Sequence, residues 1–215
     1  MKIALFGGSF DPVHNEHVRY VQAAKAALGL DRVLIIPSHI APHKAFGAVA
    51  SGEDRLAMCN LAFRNFPYAE VSDYELRAAG TSYSYLTCRH FRQLFPNDEL
   101  YFLVGADMLE DFFTWKNPED ILSNATLVAC GREGERPAEF RGKFFARFGK
   151  DFISVPFAGE AAASHKLRVD LAFRKPTPDL DRAVRRYIEE NRLYEHPAIA
   201  PALALEKPQR REHSY

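Results

Sequence analysis

The stretch from Phe6 to His17, Phe-Gly-Gly-Ser-Phe-Asp-Pro-Val-His-Asn-Glu-His, constrains this chain more than any other. Before it, Ile3-Ala4-Leu5-Phe6 is an apolar run that reads as a short buried strand. After it, His17 to Leu28 reads as a helix. Strand, glycine-rich turn and helix start then meet at one place. Such a junction presents free backbone N–H groups and a helix N-terminus, which together suit phosphates. Gly7 and Gly8 let backbone come close to a ligand with no side chain in the way. His14 and His17 are three apart, so at a helix start they share a face. Two imidazoles there suit a triphosphate: each can donate to a phosphoryl oxygen, and each carries charge if protonated.

The 215 residues suffice for one α/β domain with a sizeable core, or a domain with a small appendage. Hydrophobic residues make up 47% and charged residues 26%, as in ordinary soluble globular proteins. The formal net charge of +0 argues against a broad nucleic-acid surface. No run is long enough to span a membrane, and the start has no signal-peptide pattern. Cys59, Cys88 and Cys130 are widely spaced and read as reduced, buried residues of a cytoplasmic protein. Oligomeric state is left open, with a homo-oligomer allowed.

Along the chain, Val21, Ala24 and Leu28 form a buried helix stripe that Gly29 ends. Val33 to Ile36 is a second apolar strand, so a right-handed βαβ crossover and a parallel sheet are expected. The glycine turn then lies at the carboxyl end of the first strand, where open α/β sheets bind ligands. Ser38 to Gly52 is a loop carrying Lys44, and Ser51 with Asp54 predicts a helix cap. Val71 to Leu76 reads as a further strand. Leu100 to Val104 is the clearest central strand, and Gly105 and Asp107 at its end suit a ribose. Asn117-Pro118 predicts a short helix start, and Thr126 to Cys130 another buried strand. Phe140, Phe144 and Phe148 recur every four residues, which predicts an amphipathic helix packed on the sheet rather than a base-stacking surface. Thr177-Pro178 reads as the start of a last helix with Leu180, Val184, Tyr187 and Ile188 on one side. Residues 195–215 read as a poorly ordered tail.

The opening stretch resembles the G-G-S/T-F-D-P-x-H-x-x-H element of the nucleotidylyltransferase superfamily. One position departs: the glycine usual between the histidines is Glu16 here. Further matches are similar to the nicotinate and nicotinamide mononucleotide adenylyltransferase family, and they run from Met1 to about Tyr194. Pro42-His43-Lys44 matches its P-H-K, and Arg55-Leu56-Ala57-Met58 its R-L-x-M. Arg77 to Thr87 resembles R-x-x-x-S-Y-T-x-D-T-L, with Ser84 for the Thr, Leu86 for the Asp and Cys88 for the Leu. Gly105-Ala106-Asp107 matches G-x-D. Ala163 to Arg168 stands where the family has S-S-T-x-I-R, keeping Ser164 and Arg168 but with Ala163 and His165 for two hydroxyl residues. Ala183 to Tyr194 resembles the closing helix.

The resemblance implies an α/β, Rossmann-like parallel sheet flanked by helices. It implies a nucleotidylyltransferase domain over 1–194, with a small helical C-terminal part at about 160–194. It implies an enzyme that joins ATP and nicotinate mononucleotide into the dinucleotide of NAD biosynthesis, releasing pyrophosphate, with Mg²⁺ carried on ATP and no metal site of its own. His14, His17, Lys44 and Arg168 would be catalytic. Gly7, Gly8, Ser9, Phe10, His14, His17, Ser164 and Arg168 would bind ATP. Lys44, Ser82, Tyr83, Ser84, Gly105, Asp107 and Trp115 would bind the mononucleotide, with Trp115 stacked on the pyridine ring. The alternatives are a related transferase using nicotinamide mononucleotide or another acceptor, and a nucleotide-binding sensor with weakened catalysis.

Overall fold

The computed structural model describes residues 1–40, 49–106, 108–131, 138–157 and 164–195. In chain order the elements are β1 (Lys2–Gly8), α1 (Asn15–Leu28), β2 (Arg32–Pro37), α2 (Gly52–Phe63), β3 (Ala69–Val71), α3 (Tyr74–Ala78) and α4 (Ser84–Leu94). They continue with β4 (Glu99–Gly105), α5 (Met108–Phe112), α6 (Pro118–Asn124), β5 (Thr126–Gly131), α7 (Ala138–Phe148), β6 (Ile153–Pro156), α8 (Ser164–Ala172) and α9 (Arg182–Glu190).

The strands form one parallel sheet in the order β3-β2-β1-β4-β5-β6. This is the expected Rossmann-like α/β architecture. β1 is central, with Ala4 opposite both Val33 and Tyr101. Its continuous apolar run follows from burial on both faces. Successive side chains alternate between two cores. Ala4 and Phe6 join Val33, Ile35 and Leu103 under α1, α2 and α9. Ile3 and Leu5 join Leu34, Ile36 and Phe102 under α4, α5, α6 and α7. Each fully buried aliphatic side chain contributes about 1.5–3 kcal/mol.

The order of strands reverses between β1 and β4. In open α/β sheets the neighbouring loops diverge at such a point and leave a crevice beyond the carboxyl ends. Gly8 ends β1 and Gly105 ends β4, so both flank that crevice.

Several boundaries differ from the sequence reading. α1 starts at Asn15, two residues early, because His14 acts as its N-cap. Gly29 ends it in the left-handed conformation, φ 63°, with its N–H on the Lys25 carbonyl. The strand expected over Val71 to Leu76 stops at Val71. Ser72 still donates to the Ile35 carbonyl, but its hydroxyl accepts from Tyr74 N and α3 begins. The last helix starts at Arg182 rather than at Thr177-Pro178. The Asp181 carboxylate caps it by accepting from Ala183 N at 2.8 Å, whereas Thr177 to Leu180 closes only a turn. The Ser51 cap on Asp54 N is present at 3.0 Å. Phe144 is fully buried among Phe112, Phe113, Phe148 and Phe152, so α7 packs its phenylalanine stripe on the sheet as expected. Its basic residues are engaged: Arg141 with Asp151, Arg147 with Glu119. Among the described residues no helix is long and apolar enough to cross a membrane. The expected tail lies, after Glu195, outside the described residues.

Candidate active site

The turn that leaves β1 is held from below. Asp11 is only 1% exposed. Its Oδ1 accepts from the Tyr194 hydroxyl at 2.7 Å and from Ala50 N at 3.1 Å. Its Oδ2 accepts from Val49 N at 2.7 Å. Its carbonyl accepts from Arg168 Nη1 at 2.7 Å, and the same nitrogen stands 3.7 Å from Oδ2. Arg55 Nη1 donates to the Ser9 carbonyl at 2.8 Å, and Ser164 Oγ to the Pro12 carbonyl at 3.1 Å. The turn therefore hangs between α2, α8 and the segment just beyond α9. Burial lowers the pKa of Arg55; the nearby Asp11 opposes that shift. Burial also pushes the Tyr194 phenol well above its usual value, and the Asp11 charge adds to the rise.

This changes the place of two residues in the sequence reading. Arg168, expected to grip phosphates, has its guanidinium 1% exposed and turned onto the backbone of the turn. Phe10, expected beside ATP, is buried at φ 47°, its ring 5.4 Å from Phe6 and 5.1 Å from His17. Its side chain props the histidine pair from the core side. Gly8 lies directly over it: a Cβ there would meet the Phe10 ring at 3.0 Å.

The histidines stand together above this frame. Their ring centroids are 3.8 Å apart. His17 Nδ1 accepts the His14 backbone N–H at 3.2 Å. A neutral His17 must then carry its proton on Nε2. His14 is buried, and desolvation lowers its pKa to about 4. It is a neutral imidazole at neutral pH, not the cation that the sequence left open. Glu16, the departure from the family glycine, folds back along α1, its Oε1 accepting from Arg19 Nη1 at 2.6 Å. His165 and Lys166 are exposed in the first turn of α8.

On the other side of the crevice, Tyr83 is the N-cap of α4, and Ser84 begins it. Ser82 N donates to the Ile40 carbonyl at 2.9 Å, and Ser82 Oγ accepts from His39 N at 2.8 Å. Lys116 Nζ lies 4.3 Å above the Tyr83 ring, which brings the 115–116 loop against the start of α4. Trp115 is half-buried, 5.4 Å from Phe112 and 6.2 Å from Phe102. Gly105 pairs with Cys130 at the end of β4. Lys44 and Asp107 lie outside the described residues. Among the described residues, no group of three or more His, Cys, Asp or Glu could hold a metal ion.

Sequence reasoning passed over Asp11, Arg55 and Tyr194 as parts of the site. A signal was present for the first: an acid inside a glycine-proline turn among apolar neighbours requires buried partners. Those partners lie too far along the chain for spacing to reveal.

Three comparisons bear on this arrangement. A family model for cytidylyltransferase-like proteins matches residues 5–180. A Thermus thermophilus protein called a probable nicotinate-nucleotide adenylyltransferase is 40% identical over 198 residues, covering 90% of this chain and 100% of that one. A Desulfitobacterium hafniense protein of the same description is 33% identical over 197 residues, with 90% and 95% covered. The structure of Plasmodium falciparum nicotinic acid mononucleotide adenylyltransferase complexed with NaAD superposes with a TM-score of 0.74 at 18% identity, covering 90% of this chain and 97% of that one. That last likeness speaks for the fold.

Proposed function

Since the chain belongs to the nicotinate-nucleotide adenylyltransferase family of cytidylyltransferase-like proteins, we propose that it transfers the adenylyl group of ATP to nicotinate mononucleotide. The products are nicotinate adenine dinucleotide, an intermediate of NAD biosynthesis, and pyrophosphate. The observation that carries this reading is the His14–His17 pair at the end of β1, beside the point where strand order reverses.

The 5′-phosphate of the mononucleotide is already a nucleophile. One of its oxygens attacks the α-phosphorus of ATP, a new P–O bond forms, and the α–β bridging P–O bond breaks with its electron pair leaving on pyrophosphate. No covalent enzyme intermediate or strong base is needed. Catalysis rests on alignment and on donors aimed at the charge that builds on the pentacoordinate phosphorus. His17 Nε2–H is such a donor, kept in place by the bond to its Nδ1. His14 acts as a neutral neighbour, and the Phe10 ring sets the height of His17. Gly7, Gly8 and Ser9 supply backbone approach. The family resemblance assigns Lys44 to phosphates, Asp107 to a ribose and Trp115 to the pyridine ring. Arg168 and Ser164 act from beneath, holding the carbonyls of Asp11 and Pro12 so that the turn keeps its shape.

The groups offered by the turn are hydrogen-bond donors, and its one carboxylate, Asp11, is fully engaged. That chemistry fits a polyphosphate that brings its own Mg²⁺ rather than a bare cation. Mg²⁺ carried on the triphosphate would supply neutralisation of the charge that leaves with pyrophosphate.

The test uses ATP labelled at the α-phosphate, with nicotinate mononucleotide and Mg²⁺. Label must appear in the dinucleotide. Label recovered only as AMP, or only as unreacted ATP, contradicts the proposal.

A further inference from the structure

Glu75 in α3 is a carboxylate only 8% exposed, and nothing in the reaction above uses it. Thr87 Oγ1, from the first turn of α4, donates to its Oε1 at 2.5 Å. Burial raises the pKa of this carboxyl, and the Thr87 hydroxyl, with Ser82 nearby, opposes that rise. A buried acid keeps its place only with such partners.

Ser82 is the joint of this cluster. Its oxygen accepts from His39 N, and its backbone N–H is taken by the Ile40 carbonyl. Ser82 thereby ties the turn to the segment that follows β2. The groups that follow it are the Tyr83 and Ser84 backbone and the first N–H groups of α4. The Tyr83 carbonyl takes the Leu86 and Thr87 N–H groups, while the N–H groups of Ser84 and Tyr85 precede the helix's own ladder and suit an anion. Where they point depends on where the first turn of α4 is held, and Glu75 holds it at Thr87.

We infer that Glu75 is a positioning residue for the mononucleotide. Through Thr87 it fixes the turn opening α4, and so sets affinity for the acceptor without touching the ATP side, where Asp11, Arg55 and Arg168 frame the histidine turn. The inference rests on the function proposed above.

Steady-state kinetics on the whole chain test it, with ATP and nicotinate mononucleotide varied in turn. The variants are Glu75→Ala, Glu75→Gln and Thr87→Val. Losing hydrogen bonds to a buried charged group raises the mononucleotide KM about tenfold in Glu75→Ala, with kcat and the ATP KM moving less than about twofold. Glu75→Gln keeps an acceptor oxygen for Thr87 and recovers most of the loss. If Glu75→Ala does not fold, Thr87→Val decides, since it removes one donor at nearly constant volume; its mononucleotide KM must rise alone. An unchanged mononucleotide KM, an equal rise for both substrates, or a Gln variant no better than Ala overturns the inference. A folded wild-type protein that does not turn over nicotinate mononucleotide overturns the function and this inference together. Wild-type turnover with unmoved variants overturns the inference alone.

Discussion

The Tyr194 hydroxyl donates to Asp11 Oδ1 at 2.7 Å and so joins residues 183 positions apart. One end of that bond is in the turn after β1. The other lies just beyond α9, where Tyr194 adopts φ 65°. The segment that follows α9 therefore latches onto the turn that carries the histidine pair.

Removing the latch should cost stability. Tyr194→Phe leaves Asp11 with the Val49 and Ala50 N–H groups but without its hydroxyl partner. A loss of about 1–3 kcal/mol is expected, read as a lower urea midpoint at unchanged slope. Asp11→Asn should cost more, about 3–5 kcal/mol, because it also removes the charge beside buried Arg168. Equal stability of Tyr194→Phe and wild type would show that the latch is incidental.

His14 should make the protein sensitive to mild acid. Its folded pKa is about 4, below the ordinary 6.5. The unfolded chain therefore binds a proton that the folded chain resists. The stability this provides is full above pH 6.5 and is lost as pH falls towards 4. Between pH 7 and 5 the loss attributable to His14 is about 2 kcal/mol. Denaturant titrations at the two pH values should show a smaller loss in His14→Gln. The same loss in both would mean that His14 is not buried as a neutral group.

His17 should matter to turnover more than to folding. His17→Ala removes the Nε2–H donor and is expected to lower kcat at least about tenfold, with a melting temperature within a few degrees of wild type. Wild-type turnover in that variant would sink the mechanism.

Asp181 ties α9 to α2. Its carboxylate caps α9 and meets Arg64 Nη1 at 2.8 Å. Asp181→Ala should cost about 1 kcal/mol, mostly as the lost cap, since the Arg64 pair is partly exposed. Asp181→Asn should keep most of the stability, because an amide oxygen still caps. An Asn variant as unstable as the Ala variant would assign the effect to the ion pair instead.

Much of the fold was legible because its physics is local. Ile3 to Phe6, Val33 to Ile36 and Leu100 to Val104 are continuous apolar runs, and only strands covered on both faces need that pattern. Gly29 at φ 63° ends α1 where a left-handed residue was required. Errors came where a local hydrogen bond outweighed a pattern. Ser72 and Asp73 start α3 and cut short the strand expected over Val71 to Leu76. Asp181 outdid Thr177-Pro178 as a cap.

The site was legible in its motifs but not in its tertiary partners. His14 and His17 could be set on one face from their spacing alone. That Phe10 turns inward and Arg168 lies beneath the turn depends on contacts with Phe6, His17 and Asp11, which no residue interval encodes. Glu75 fell within the strand expected over Val71 to Leu76, and its buried bond to Thr87 depends on α3 and α4 meeting, which spacing does not encode.

The most direct measurement is pyrophosphate release from ATP and Mg²⁺, with nicotinate mononucleotide and nicotinamide mononucleotide supplied separately. The account predicts release with the acid form and much less with the amide, because the first N–H groups of α4 are donors suited to a carboxylate. No release with nicotinate mononucleotide, from folded protein that still binds ATP, would contradict it.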